Sequence, residues 1–554
     1  MTFQAEQERY IEAMLHLIRH FCASSSPAAT ADDRFPQRRW TGFLLVGILA
    51  LGSGCASLPA EVERPVSYAL KDSTATALAK AGQAHAAAVA ARSDSGFFLL
   101  DNPARAFEMR MRLIEASEKT LDIQYYAIHA DETTDQLIEA LRKAAARGVR
   151  VRLLLDDFNA TGKNAQVIQL AFVPGMELRL FNPLPGTRGS SMLRVLGSIT
   201  NIDRIQRRMH NKILVADNAM SITGGRNLGE NYFGQSPNTN FVDIDVLATG
   251  RIVRDLSRSF DQYWNNPLSY PAETLVSKKE LDALKTPAPD PAVSSAPASE
   301  KQAPPASPLS AFGPLTLEQL PWVWAPSVLM VDKPSKIEAS AEETQEAEET
   351  LVDGLLQLVS QARRELLIVT PYFVPGPRMM AQLTDIRQKG VRVRVLTNSL
   401  ASNDAPAAHV GYARYRQQLV AAGIELYEMH AEQRGSLAVI GSSADSRASL
   451  HSKIIVMDER LLVVGSMNLD LRSQLQNTEV ALLIRSPRLA QEALRRIIPT
   501  LEHGAYRIEL ANGQLLWRAP TGAHFESSTT EPDASLGLKL LTKVISPFAP
   551  DEML

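Results

Sequence analysis

Two runs of polar residues, His210-Asn-Lys212-Ile-Leu-Val-Ala-Asp217 and His451-Ser-Lys453-Ile-Ile-Val-Met-Asp458, share one spacing: lysine two residues after histidine and aspartate seven after. Each run continues into Gly224-Gly225-Arg226-Asn227 or Gly465-Ser466-Met467-Asn468, so asparagine falls seventeen residues after histidine in both. In an extended strand residues i and i+2 share a face, which sends each histidine and its lysine into one pocket. There the lysine can hold a phosphate oxygen beside the imidazole. Asn227 and Asn468, expected on turns after the following strand, are suited to donate further hydrogen bonds to that phosphate. Asp217 and Asp458 complete the catalytic motif, with closure of the local fold, rather than contact with substrate, as their expected part.

The elements that must position these groups also come in two copies. Arg147-Gly-Val-Arg-Val-Arg-Leu-Leu-Leu-Asp-Asp157 reappears as Lys389-Gly-Val-Arg-Val-Arg-Val-Leu-Thr-Asn-Ser399, with Gly148 and Gly390 242 residues apart and His210 and His451 241 apart. Equal offsets at two landmarks mean that the chain holds two copies of one unit. In the first copy, Asn102 before Pro103 predicts a helix start, with Phe107, Met111 and Ile114 at helical spacing. Thr120 to Tyr126 reads as a strand. Leu137, Ile138, Leu141, Ala144 and Ala145 give a second helix stopped at Gly148, and Val149 to Leu155 a buried strand.

Strand, helix and strand in that order predict an α/β class: two lobes with mixed, largely parallel sheets flanked by helices and related by a pseudo-twofold axis. The expected divisions are a leader at 1–54, lobes at 95–270 and 320–500, a linker at 286–314 rich in proline, alanine and serine, and a C-terminal extension at 501–554. In the extension, Leu536-Gly-Leu-Lys-Leu-Leu-Thr-Lys-Val-Ile545 places Lys539 and Lys543 four apart with leucines opposite, which suits either an interfacial helix or one docked on the core.

The 58 basic and 61 acidic residues nearly cancel. That balance argues against nucleic acid as a partner, since such proteins carry a broad basic footprint. Two cysteines, Cys22 and Cys55, both precede the folded region, so neither a disulfide framework nor a cysteine zinc site is available. Arg38 and Arg39, the apolar run from Phe43 to Leu51, and Gly52-Ser-Gly-Cys55 form a signal-peptide pattern in which Cys55 resembles the lipidated cysteine of a bacterial lipoprotein. Leu51 stands one position further from the cysteine than is usual there. The pattern implies attachment to a bacterial envelope membrane on the periplasmic side, and Ala56 allows outer-membrane sorting. A plain membrane anchor or an ordinary signal peptide is the alternative.

The paired motifs resemble the phospholipase D superfamily. The resemblance implies that one histidine attacks phosphorus to give a phosphohistidine while the other protonates the leaving oxygen, with the roles reversed when an acceptor hydroxyl enters. By analogy His210 is the nucleophile and His451 the acid and base, and neither metal nor other cofactor is required. Each imidazole needs a carboxylate to fix its tautomer. Glu479 matches the family's position in the second half. In the first half the choice is Asp243, which precedes Gly250 by seven residues as Glu479 precedes Ser486, with Asp245 as fallback. His409, after the loop-like Ser402-Asn-Asp-Ala-Pro, is expected to be structural unless it reaches the mouth of the site.

Further segments, including Asp122-Ile-Gln-Tyr-Tyr126, Leu180-Phe-Asn-Pro183, Gly224-Gly-Arg-Asn-Leu-Gly-Glu230, Thr397-Asn-Ser-Leu-Ala-Ser-Asn-Asp404 and Gly411-Tyr-Ala-Arg-Tyr415, are similar to the C-type bacterial cardiolipin synthases. That resemblance covers most of 95–554. It implies phospholipid substrates at a membrane surface and transfer of a phosphatidyl group, from phosphatidylethanolamine or phosphatidylglycerol, to a hydroxyl of phosphatidylglycerol. The oligomeric state is left open. Two alternatives stand beside it: hydrolysis to phosphatidic acid, with water as acceptor, and a lipoprotein that binds lipid without catalysis.

Overall fold

The computed structural model describes residues 58–59, 61–186, 202–276, 282, 317–433, 447–549 and 551. The leader with Cys55 and the linker at 286–314 lie outside the described residues. Asn102 accepts a hydrogen bond from Arg105 N and Pro103 opens the helix Pro103–Ala116, as the sequence leads one to expect. Asp131 caps Glu132–Ala146 through Thr134 N, and that helix ends at Gly148, whose φ of +90° favours glycine.

Among the described residues ten strands lie in and after the first copy: β1 (Ser95–Leu100), β2 (Thr120–Tyr125), β3 (Arg150–Asp156), β4 (Met176–Phe181), β5 (Ile213–Ala216), β6 (Met220–Gly224), β7 (Thr239–Val242), β8 (Asp245–Gly250), β9 (Ser269–Pro271) and β10 (Val323–Trp324). Ten more belong with the second: β11 (Ser327–Val331), β12 (Glu365–Val369), β13 (Arg392–Asn398), β14 (Glu425–Met429), β15 (Arg447–Leu450), β16 (Ile454–Met457), β17 (Leu461–Gly465), β18 (Val480–Arg485), β19 (Ala505–Ala511) and β20 (Gln514–Arg518).

They form two nine-stranded sheets, ordered β10-β1-β8-β6-β5-β2-β3-β4-β9 and β11-β18-β17-β16-β12-β13-β14-β19-β20. From β1 to β4 and from β11 to β14 the two orders are the same, which is the sequence repeat written in strands. The sheets are mixed, but the largely parallel arrangement expected from sequence needs correction. Only β2-β3-β4 and β12-β13-β14 run parallel, and every other neighbouring pair in these sheets is antiparallel. The cause is local. Parallel pairs come from the strand–helix–strand units, whereas Asp217 and Asn218, and Asp458 and Glu459, adopt positive φ and fold β5 onto β6 and β16 onto β17 as hairpins.

The lobe boundaries also shift from those expected. β10 crosses back to pair with β1, and β19 and β20 carry the second sheet past residue 500 as far as Arg518.

An apolar seam joins the halves. Phe97, Ile213, Val215 and Val246 of the first sheet share one buried cluster with Val369, Ile454, Val464 and Leu482 of the second, and the helices Arg251–Trp264 and Pro487–His503 pack into it. At the edge of this seam β7 and β15, one from each half, pair in parallel as a two-stranded sheet. Among the described residues no helix is long and apolar enough to cross a membrane.

Candidate active site at the join of the two halves

The segments just before β5 and β16 leave their own sheets and bond to the opposite half. His210 N donates to Thr478 O at 2.9 Å, and His451 N donates to Val242 O at 2.9 Å. Thr478 and Val242 each immediately precede a carboxylate, Glu479 and Asp243. The backbone pairing therefore delivers each carboxylate to the histidine of the other half. His210 Nδ1 lies 3.0 Å from both Glu479 oxygens, and His451 Nδ1 lies 2.9 Å from Asp243 Oδ2.

Sequence reasoning paired each carboxylate with its own half, and the structure crosses them. Asp245, the fallback, is engaged elsewhere, by Arg110 at 2.8 Å and Arg226 at 3.2 Å.

With Nδ1 turned to a carboxylate, each ring donates that N–H and leaves Nε2 to face a ligand. Burial, then the charges of Lys212, Lys453 and Arg472, hold His210 well below the usual imidazole range. Burial, Lys453, Lys212 and His210 do the same to His451. Each histidine feels both lysines, so the four groups share one pocket. Burial pushes the lysines down, Lys212 to about 7 and Lys453 to about 8. It also raises Glu479 to about 7 and lifts Asp243 above the usual carboxylate range, against the pull of the lysines. Buried, depressed lysines flanking neutral imidazoles make a cradle that an anion would recharge.

The lysines fold back onto the turn that bears the histidines: Lys212 Nζ donates to His210 O at 2.8 Å, and Lys453 Nζ to His451 O at 2.6 Å. Each lysine thus bonds the backbone carbonyl two residues back, whereas the spacing predicts two side chains on one face of a strand, and none of these four residues lies within a strand. Asn227 and Asn468 follow β6 and β17 and are buried, and each leaves its side-chain amide oxygen unpartnered while Asn227 Nδ2 donates to the Tyr232 hydroxyl at 3.0 Å. An unfilled amide oxygen accepts hydrogen bonds and so calls for a donor such as a hydroxyl, whereas a phosphate oxygen would have to be met by the Nδ2 hydrogens.

This paired arrangement coincides with the family described as "Cardiolipin synthase, PLD-like domain", which matches residues 111–264 and 355–498. The chain belongs to that family. The cardiolipin synthase C of Escherichia coli (strain K12) is 37% identical over 430 residues, covering 76% of this chain and 88% of the relative. The cardiolipin synthase B of Salmonella typhi is 25% identical over 386 residues, 70% of this chain and 75% of the relative. The crystal structure of phosphatidylserine synthase from Haemophilus influenzae Rd KW20 superposes with a TM-score of 0.54 at 14% identity, covering 86% of this chain and all of that one, which shows the shared fold. Membership in the cardiolipin synthase family makes the chain an enzyme, a phosphatidyltransferase that modifies phospholipid.

Not every residue of this family's motif reaches the pocket. Asp217 accepts from the backbone N–H of Glu118, Lys119 and Thr120, and Asp458 from those of Arg363, Arg364 and Glu365. Both aspartates tie a hairpin to the start of the neighbouring parallel strand, so their place in the motif is structural. His409 is buried in the helix Pro406–Ala421 against Glu531 and Arg416, as a structural histidine would be.

Other residues enter that sequence reasoning did not assign. The Tyr126 ring stands edge-on to His210 with centroids 4.9 Å apart, while Tyr232 and Phe241 flank His451 at 5.2 and 4.9 Å. Ser466 and Ser473 both donate to Glu479. Asp332 accepts from Glu479 N at 3.0 Å and pairs with Lys336, which in turn donates to Ser473 O at 2.9 Å. Tyr126 ends one of the family-like segments and so had a signal. Asp332 and Lys336 had none, because they act through backbone atoms at no fixed distance from the motif.

Proposed function

We propose that the protein makes cardiolipin, moving a phosphatidyl group from phosphatidylglycerol or phosphatidylethanolamine to a free glycerol hydroxyl of phosphatidylglycerol. In this reading His210 Nε2 attacks the donor phosphorus, a P–N bond forms, and the bond from phosphorus to the headgroup oxygen breaks. His451 gives that oxygen its proton. The acceptor hydroxyl then loses its proton to His451 as its oxygen displaces His210, which restores both imidazoles. Lys212, Lys453, Asn227 and Asn468 hold the phosphate oxygens throughout. An anionic phosphodiester between the lysines raises the proton affinity of His451, which burial and the charges of Lys453 and Lys212 depress.

The observation that carries this reading is the crossed pairing of His210 with Glu479 and His451 with Asp243. Two equivalent imidazoles, each held by a carboxylate from the other half and each feeling both lysines, suit a reaction that needs an attacker and a proton donor and then exchanges entering and leaving groups. The envelope setting, with Cys55 lipidated and the folded region on the periplasmic side, belongs to the same proposal.

The test is purified protein with vesicles of phosphatidylglycerol and phosphatidylethanolamine, with products resolved by mass spectrometry. Cardiolipin is expected, together with ethanolamine or glycerol. Phosphatidic acid without cardiolipin would make water the acceptor and overturn the synthase reading. Vesicle binding without any product would leave a lipid-binding protein.

A further inference from the structure

The helix Leu536–Ile545 is amphipathic, and the structure shows which side is used. Ser535 caps it through Leu538 N. Its docked side is held by Ile545, which is 7% exposed and packs with Val374 and Ala407, while Arg414 donates to Ser546 O at 2.7 Å. The opposite side is bare. Leu536 is 86% exposed, Leu540 64% and Val544 37%, and at spacings of four residues they form one stripe along the helix. Lys539 and Lys543 fall beside this stripe, where the sequence analysis set them opposite the leucines, and among the described residues neither is ion-paired. Helical spacing that docks Leu541 and Ile545 necessarily turns Leu536 and Leu540 outward with the lysines.

An exposed leucine is ordinary by itself, but a row of three large apolar side chains edged with lysine is the composition of a helix that lies in a lipid interface. Its position strengthens the case. The helix rides on Pro406–Ala421, which begins two residues after Asp404. Asp404 accepts from the Tyr372 hydroxyl at 2.9 Å, and its charge reaches Lys453. The apolar stripe is therefore fixed to the element that leads into the wall of the site.

We propose that this face, Leu536, Leu540 and Val544 with Lys539 and Lys543, is where the enzyme seats on an anionic phospholipid bilayer, so that the mouth of the site opens toward the lipid. The apolar stripe would enter the acyl boundary and the lysines would meet phosphate groups. The proposal rests on lipid being the substrate, and not on which acceptor is used.

The test uses the full chain carrying Cys22→Ser, Cys55→Ser and Leu540→Cys, labelled at position 540 with an environment-sensitive fluorophore. A matching protein labelled through Lys143→Cys, exposed on the first half, serves as the control. With vesicles of equal phosphatidylglycerol and phosphatidylethanolamine, emission at 540 should rise and shift to the blue, while the control stays unchanged. Unchanged emission at 540 with vesicles that the enzyme turns over overturns the proposal. So does a blue shift produced by concentrating the protein without lipid, which would make the stripe a contact between copies.

Leu536→Asp with Leu540→Asp should lower turnover of vesicle lipid at least tenfold and leave turnover of a monomeric short-chain phospholipid unchanged. Equal loss on both substrates would assign the stripe to folding instead. Insertion at 540 in a protein that forms only phosphatidic acid would uphold this surface while overturning the synthase reading.

Discussion

Glu479 reaches across the join of the two halves to hold His210: both carboxylate oxygens lie 3.0 Å from Nδ1, although the residues are 269 positions apart. His451 and Asp243 repeat the relation in the other direction. Neither half has a complete histidine–carboxylate pair, so one half folded alone would carry its imidazole without the group that sets its tautomer.

Glu479→Gln should therefore behave as a loss of His210. An amide keeps the volume but no longer favours the tautomer with a proton on Nδ1, and comparable changes in histidine catalysts cost about 10²–10⁴ in kcat. Steady-state kinetics should show that loss with little change in thermal midpoint. The double variant His210→Asn, Glu479→Gln should be no slower than His210→Asn alone, because the pair acts as a unit. Multiplying effects would mean that the two residues work separately.

Gly225 and Ser466 hold the same place in the two halves, and the carboxylates explain the difference. A Cβ at Gly225 would meet both carboxylate oxygens of Asp243 closer than atoms pack. The longer Glu479 instead receives the Ser466 hydroxyl. Gly225→Ala should push Asp243 off His451 and cut kcat by about 10²-fold or more, given how steeply rate depends on placement. Ser466→Gly removes the donor to Glu479 and the acceptor of Val480 N without crowding the carboxylate, and should cost less in kcat. Comparing kcat of the two variants on the same vesicles checks the order, and a Gly225→Ala enzyme of full rate would refute it.

Asp217 and Asp458 give the opposite pattern. Each accepts three backbone N–H groups. Asp217→Asn replaces one accepting oxygen with a donor and should destabilise by about 1–3 kcal/mol, the cost of leaving a part-buried N–H unmet. Denaturant titration should record that shift, and kcat per folded molecule should remain near wild type. A kcat loss without a stability loss would return the aspartate to the chemistry.

The sequence carried the pocket residues because their relation is local. Lysine two after histidine has the same meaning in any extended segment, and duplication at a 241-residue offset made the pattern unmistakable. The partner of each imidazole was illegible because it depends on the pairing of His210 N with Thr478 O and of β7 with β15, contacts between halves that no local spacing encodes. Strand direction failed for a related reason. The apolar run of β3 resembles any buried strand, and the positive-φ turns at Asp217 and Asp458 fell inside a motif read for chemistry rather than for hairpins. At the C-terminus the period showed an amphipathic helix, and only packing of Ile545 against Val374 revealed which face is free.

The lysines give a pH dependence with a definite sign. In the free enzyme Lys212 sits at about 7 and Lys453 at about 8, both depressed by burial, so each loses its proton as pH rises through that range. Affinity for the phosphodiester goes with those charges, and kcat/KM should fall as pH climbs from about 7 to 8. Bound phosphate favours the charged ammonium and raises both values, so the same limb in kcat should lie at higher pH. Lys212→Arg, which keeps its charge at any working pH, should move the kcat/KM limb upward even where geometry lowers the overall rate. Vanadate should raise the thermal midpoint more at pH 6, where both lysines are charged, than at pH 9, where both are neutral in the free protein. An equal rise at the two pH values would show that these lysines do not hold the anion.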